Sequence, residues 1–302
     1  MSVQRNGRNV FIEFASAPGV IRGGICAAPN LTTAQFLVLL NHLFKARAGG
    51  FSTRLKGSNT HLLPTTQAIQ HGVYILTPVT PGDQILISDT QYHRRADPAL
   101  GTPREQAFST QVRQRDRRCV ITHTPVLSAD VDMWEGFQAS HIFPRNLEKL
   151  FVDLGYANLV THSHPKGVNS PQNGILLKND VHTLYHRYAL SINPDDEYRV
   201  YSFRPNAYQY HGLILDTVCR QPNDSRAVHP EFLRWHFEQA VLSNMRGAGE
   251  PLWEFDFPPG ADMMGEIRRG PLPELRMETE LFARLGSYDE AASEDDSDGD
   301  TK

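Results

Sequence analysis

The sequence predicts an α+β protein with an N-terminal α+β module, a central core of two strands and a helix, a C-terminal helical region and an acidic tail. Three observations support this prediction. Strand-like runs surround one apolar-periodic helix before residue 100, a strand–strand–helix order lies in the middle, and a helix that begins at Pro230 follows residue 205. With 302 residues, of which 40% are hydrophobic, the chain is long enough for two domains and a buried core.

The N-terminal module is predicted from short alternating patterns. The run Leu31-Thr32-Thr33 provides a threonine cap for an apolar-periodic helix that Gly49 and Gly50 then end. The predicted elements are strands at 9–15, 73–76 and 84–87 and a helix at 34–47. No group of catalytic residue types occurs together in this module, so its role stays unassigned.

A proline- and glycine-containing linker at 97–102 separates this module from the core. The predicted divisions are an N-terminal module at 1–100, a core domain at 104–204, a helical region at 205–286 and a tail at 287–302. The last 14 residues hold seven acidic residues and one lysine, and this composition predicts disorder. A last short helix is predicted at 277–285.

Cysteine use and hydropathy restrict the class of protein. Cys26, Cys119 and Cys219 lie far apart and form no CxxC pair, which argues against a disulfide scaffold and a cysteine-rich zinc site. Any metal must therefore depend on histidine and oxygen ligands. No basic-apolar leader precedes residue 10, and no apolar run approaches the ~18 residues of a membrane span. We expect a soluble intracellular protein of the nucleus or cytoplasm, with no membrane partner.

Charge is distributed unevenly along the chain. Outside the last 14 residues the net charge is +2, so the body is not strongly basic. A local basic group precedes the core and consists of Arg104, Arg113, Arg115, Arg117 and Arg118. It is either a solvated helix face or a stripe that contacts phosphates, and the sequence leaves both interpretations open.

The chemistry-bearing residues lie in the middle of the chain. Apolar residues at 181, 184, 185 and 188 predict a helix, which places His182 and His186 one turn apart on the same face. Two imidazoles at that spacing can bind one divalent ion, although the same spacing is common on plain exposed helices. Upstream, His141 lies in a short strand that Pro144 ends, and Asn173 begins a turn and a strand that leads into the helix. The order is therefore a hairpin followed by a helix.

This pattern resembles that of the HNH (His-Me finger, ββα-metal) endonucleases, in the form found in uncharacterised fungal proteins. The resemblance covers residues 118–203. It is carried by the segments 118–122, 139–144, 173–177 and 182–185.

The resemblance implies specific roles. His141 would be the general base that takes a proton from the attacking water, a task suited to imidazole with its ordinary pKa of ~6.5. His182 and His186 would hold one divalent ion (Mg, Mn, Ni or Zn) beside the scissile phosphate. Asn173 would hold the connecting loop so that the ring of His141 faces the phosphorus.

Other residues receive secondary roles from the same resemblance. Ser140 stands where many family members have an aspartate or histidine ligand, and Gln138 stands where an acidic residue often precedes the motif. Both are candidates for a minor metal or outer-shell role. Candidates for phosphate contacts are Arg118, Arg145 and Lys178, with Lys149 and Lys166 as further options. His162 or His164 could supply a third metal ligand, although exposed loop histidines are the simpler interpretation.

The predicted function is that of a hydrolase, a metal-dependent endonuclease that cleaves phosphodiester bonds in nucleic acid, with DNA favoured over RNA. The alternative is a weak or inactive HNH-fold module used for DNA binding or protein interaction, which the neutral Ser140 and Gln138 favour. A purely structural zinc site is a third hypothesis. It would need four protein ligands, and only two have convincing spacing.

Overall fold

The computed structural model describes residues 7–93, 95, 103–160, 167–247, 265 and 268. The helices are α1 (Thr33–Leu43), α2 (Pro103–Asp116), α3 (Glu148–Asp153), α4 (Asn179–His186) and α5 (Pro230–Met245). The strands are β1 (Val10–Phe14), β2 (Ile21–Ile25), β3 (Phe44–Ala46), β4 (Phe51–Leu55), β5 (Gly72–Pro78), β6 (Ile85–Ile87), β7 (Phe137–His141), β8 (Gly174–Lys178), β9 (Leu190–Asn193) and β10 (Arg199–Ser202). Short 3-10 helices lie at Ala129–Val131, Arg145–Leu147, Tyr156–Leu159, Pro171–Asn173, Pro205–Tyr210 and Thr217–Arg220. This mixture confirms the α+β class.

The N-terminal part is a four-stranded sheet with the order β2-β1-β5-β4. Strand β1 pairs antiparallel with β2 and parallel with β5, and β5 pairs antiparallel with β4. Helix α1 packs on this sheet through its buried apolar face, which consists of Phe36, Leu39, Leu40 and Leu43. At its start Thr32 and Gln35 form a reciprocal capping box, as the threonine predicted.

Helix α1 is shorter than the sequence predicted. It ends at Leu43, and the next residues form β3, which pairs antiparallel with β6. The predicted extension to Arg47 is wrong because strand pairing with residues 85–87 satisfies the backbone of 44–46. Helical propensity alone does not reveal such a partner that is distant in sequence.

The central residues form the predicted hairpin and helix. Strands β7 and β8 pair antiparallel, with His141 opposite Gly174 and Phe137 opposite Lys178. Helix α4 follows β8 directly. Its first turn contains Asn179 and Asp180, and no side chain caps its N-terminus.

Helix α5 packs in two hydrophobic clusters. Phe237 and Met245 belong to the cluster that contains the N-terminal sheet and α1. Phe232 and Trp235 belong to the cluster that contains β8 and α4. Residues 7–93 and 103–247 accordingly lie within one compact unit.

Some predictions concern residues that the structure does not describe. The helix at 277–285, the acidic tail and the residues 162, 164 and 166 lie outside the described residues. In the part of the chain that the structure describes, every helix is too short or too polar to cross a membrane.

Candidate active site

The β7–β8 hairpin is covered by a different helix on each face. Ile175 packs in one hydrophobic cluster with Val181 and Tyr185 of α4. The next residue, Leu176, packs in another cluster with Phe108 of α2. Because successive residues of a strand point to opposite faces, α4 covers one face of the hairpin and α2 covers the other.

Ser140 and His141 therefore lie on opposite faces of β7. Ser140 is paired with Ile175 on the α4 face, and it is 2% exposed. Its hydroxyl donates to the backbone carbonyl of His141 at 3.3 Å. His141 is paired with Gly174 on the α2 face, at the end of the strand.

The imidazole of His141 contacts side chains of α2 and of the segment that approaches β8. It stacks on the ring of Phe108, with centroids 3.9 Å apart and planes 8° from parallel. Its Nε2 lies 2.8 Å from the side-chain oxygen of Asn169. The close approach of α2 depends on Gly174, because a Cβ at that position would lie 2.6 Å from atoms of both Phe108 and Val112.

Asn173 is fully buried and joins two segments of the chain. Its Oδ1 accepts a hydrogen bond from the backbone N–H of Phe143 at 2.7 Å, and its Nδ2 donates to the Phe143 carbonyl at 2.9 Å. The same Nδ2 donates to the carbonyl of Val168, also at 2.9 Å. The side chain thus ties the segment that leaves β7 to the segment that approaches β8.

A buried ion pair on α2 supports the same region. Arg115 donates to both carboxylate oxygens of Asp116, at 2.6 and 3.0 Å. It also donates to the carbonyls of Pro171 at 2.7 Å and Gly174 at 2.6 Å, which flank Asn173. Burial raises the pKa of Asp116, and the adjacent guanidinium opposes that rise. The pair holds the backbone on both sides of the buried asparagine.

The arginine run before the core does not form one continuous stripe. Arg115 is buried and holds the protein backbone, so it fits neither interpretation of the run. Arg117 is exposed and pairs with Asp130. Arg118 has a half-exposed side chain whose guanidinium lies 3.7 Å from the carboxylate of Asp216.

His182 and His186 lie one turn apart on α4, and both are half-buried. Their ring centroids are 5.9 Å apart and their planes differ by 37°. With metal–nitrogen bonds of about 2.0–2.1 Å, each centroid would lie about 3 Å from a shared ion, so the two rings are within reach of one metal. Two imidazoles one helical turn apart are the donor chemistry that would hold a divalent ion, and the other coordination positions would be left to water or substrate.

Within residues 7–93, 103–160 and 167–247, no group of three or more His, Cys, Asp or Glu side chains is placed to hold a metal ion. A structural zinc needs four protein ligands. The further ligand candidates His162 and His164 lie outside the described residues, so the structural-zinc hypothesis stays a prediction.

The remaining predicted residues lie around the hairpin. Gln138 is exposed on β7, on the same face as Ser140. Arg145 begins the 3-10 helix after β7, and Lys149 is exposed in α3. The ammonium of Lys178 lies 3.9 Å from the carboxylate of Asp180.

Two residues that contact His141 were not predicted from the sequence. Phe108 precedes it by more than 30 positions in a helix of mixed composition, and no spacing rule connects the two. Asn169 lies in the long connection, four residues before Asn173. No pattern in that connection indicated a contact with His141.

In the comparison with protein families, residues 119–193 match the model described as HNH endonuclease. The matched range contains β7, β8 and α4, and it ends with β9. Comparisons with curated proteins and with solved structures find no significant match. Residues 119–193 of this chain are therefore similar to the HNH endonuclease family.

Proposed function

We propose that this protein is a metal-dependent endonuclease that hydrolyses phosphodiester bonds in nucleic acid, with DNA favoured over RNA. The similarity of residues 119–193 to the HNH endonuclease family supports nuclease activity in general. The observation that supports the finer proposal is the ββα arrangement. It places His141 at the end of β7 and a metal-compatible pair, His182 and His186, on the helix that follows β8.

In this proposal His141 is the general base. The water that attacks the phosphorus transfers a proton to the imidazole, which then holds it as an imidazolium. Stacking on Phe108 and the contact with Asn169 keep the ring in one orientation, so little conformational freedom remains to be lost in the transition state. Asn173 acts indirectly, because its hydrogen bonds to Phe143 and Val168 fix the segments next to His141 and Asn169.

His182 and His186 would hold the divalent ion. The bound ion supplies positive charge that offsets the negative charge developing on the phosphate and the leaving 3′-oxygen. Two imidazole ligands favour Zn, Ni or Mn over Mg, which prefers oxygen ligands. Three cations near the hairpin are proposed to contact flanking phosphates without sequence preference, namely the exposed Arg118 and the half-buried Arg145 and Lys178.

One observation favours a second candidate function, a catalytically weak or inactive module that binds DNA or a protein. Ser140 lies on the α4 face at the position where many family members provide a ligand, but its buried hydroxyl donates to a backbone carbonyl. A neutral hydroxyl in that contact is a poor metal ligand. The two candidates therefore differ in whether the ion is bound tightly enough for catalysis.

The test is nicking of supercoiled plasmid DNA by the full chain with Mg, Mn, Ni or Zn, and with RNA as a parallel substrate. We expect His141→Ala to reduce cleavage about 100-fold or more, because a general base contributes about 10²–10⁴-fold. The matched control is His61→Ala, which removes an exposed imidazole of the N-terminal sheet. Equal cleavage by wild type and His141→Ala would exclude His141 from the mechanism, and no cleavage by wild type with any ion would favour the binding module.

The metal assignment has its own measurement. Isothermal titration with Mn, Ni and Zn should give one site in the wild type, and the His182→Ala and His186→Ala variants should each weaken it about tenfold or more. His123→Asn is the matched control, because it removes an exposed imidazole of the same domain at a position with a φ of 59° that asparagine tolerates. Unchanged affinity in both α4 variants would overturn the assignment.

A further inference from the structure

We infer that Asn169 is a positioning residue that fixes the tautomer and the in-plane orientation of the His141 ring. The inference rests on the proposed function, since it assigns the nitrogen of His141 that accepts the proton. Asn169 is half-buried in the segment between the 161–166 region and β8, and the family match gives no role to it.

The first step is hydrogen-bond chemistry. The Oδ1 of Asn169 lies 2.8 Å from Nε2 of His141, and an amide oxygen can only accept a hydrogen bond. Nε2 must therefore carry the hydrogen of the neutral ring. The other nitrogen, Nδ1, then has the lone pair that takes the proton of the attacking water, while Nε2 keeps its own hydrogen.

The second step concerns ring orientation. Stacking on Phe108 fixes the plane of the imidazole, but two orientations related by a 180° rotation share that plane. Rotation would replace Nε2–H by a carbon near the oxygen of Asn169 and would break the 2.8 Å hydrogen bond. Phe108 thus selects the plane, and Asn169 selects the orientation within it.

The third step is the rigidity of Asn169 itself. Its neighbours Val168 and Ser170 are both 1% exposed. The Val168 carbonyl accepts from the side chain of Asn173, and the backbone N–H of Ser170 donates to Gly167 at 3.0 Å. Because the chain is held on both sides, the backbone from which the Asn169 amide reaches His141 has a fixed position. The buried Asn173 therefore acts on His141 through Asn169.

The experiment uses the full chain with ¹⁵N-labelled histidine. Ring ¹H–¹⁵N spectra report which nitrogen of a neutral imidazole carries the hydrogen, so they are recorded at a pH at which the ring is neutral. The signal of His141 is assigned as the one that is missing in His141→Ala. We expect Nε2–H in the wild type and in Asn169→Asp, which keeps the acceptor. In Asn169→Leu, of similar size but without an acceptor, we expect a mixture of tautomers. Asn158→Leu, at an exposed position of the same connection, is the control and should match the wild type.

A second readout is kinetic. Asn169→Leu should lower kcat for plasmid nicking about 10–100-fold, within the range of general-base effects, with unchanged KM and metal affinity. Nδ1–H in the wild type, or an unchanged tautomer in Asn169→Leu, would overturn the inference. A tautomer shift in Asn169→Leu without cleavage by the wild type would instead overturn the proposed function and support the contact. The two failures are therefore distinguishable.

Discussion

Replacement of Asn173 by aspartate changes the NH2 group of a buried side-chain amide into a carboxyl oxygen. The new carboxyl can still accept from the N–H of Phe143 through one oxygen. The other oxygen would replace the amide donor and lie about as far from the carbonyls of Phe143 and Val168 as Nδ2 does, at 2.9 Å. The variant removes two donated hydrogen bonds from a fully buried position and places acceptors against each other.

The magnitude follows from these contacts. A buried polar group that loses its hydrogen-bond partner lowers the free energy of unfolding by about 1–3 kcal/mol. Because two carbonyls lose their donor in this variant, we expect a decrease of about 2–6 kcal/mol. For a unit of 150–250 residues, each 1 kcal/mol lowers Tm by about 2–4 °C. Taking about 4 kcal/mol, we expect Asn173→Asp to lower Tm by about 8–16 °C.

The assay is differential scanning calorimetry at neutral pH, with Asn158→Asp as the control. This variant makes the same chemical change at an exposed asparagine of the connection and should leave Tm within about 2 °C of the wild type, as surface substitutions usually change stability by less than 0.5 kcal/mol. A Tm for Asn173→Asp as high as that of the control would refute the assignment of Asn173 as the side chain that joins the two segments.

Two further predictions concern packing and pH. Gly174→Ala should destabilise the protein by about 1–3 kcal/mol in urea denaturation, because its Cβ would overlap the buried Phe108 and Val112. The extended φ of −135° at this glycine excludes backbone strain as a cause, so unchanged stability would contradict the packing described for α2. Burial, reinforced by the charge of Arg199, lowers the pKa of His211 to about 4. The unfolded chain then binds more protons than the folded protein, so stability should fall as pH decreases from about 6.5 towards 4. Between pH 7 and pH 4.5, His211→Gln should lose less stability than the wild type, and an equal loss in both proteins would exclude His211 as the cause.

The local part of the site could be predicted from the sequence. Strand β8 and helix α4 are adjacent in the chain, so the apolar pattern and the four-residue spacing of His182 and His186 determine which face carries the two rings. The predicted hairpin required only that the strand with His141 pair with the strand after Asn173, and the structure shows this antiparallel pairing. The narrower resemblance to the fungal type and the roles of the individual residues stay predictions.

The part that could not be predicted depends on contacts between distant segments. Helix α1 ends at Leu43 because its continuation pairs with residues 85–87, which no helical pattern reveals. Arg115 looked like one member of a basic run, yet its guanidinium is buried because three carbonyls and a carboxylate surround it. Periodicity reports which residues avoid water, and it does not report which buried partner a charged side chain will meet.

These distant contacts also bear on where the functional unit begins. The family match starts at residue 119, but α2 ends at Asp116 and lies outside it. Phe108 determines the plane of the His141 ring, and Arg115 holds the carbonyls on both sides of Asn173. A hairpin without α2 would expose Leu176 and remove the ring on which the proposed base stacks. The geometry required for general-base catalysis therefore depends on residues that precede the family segment, so α2 belongs to the proposed active site as much as α4 does.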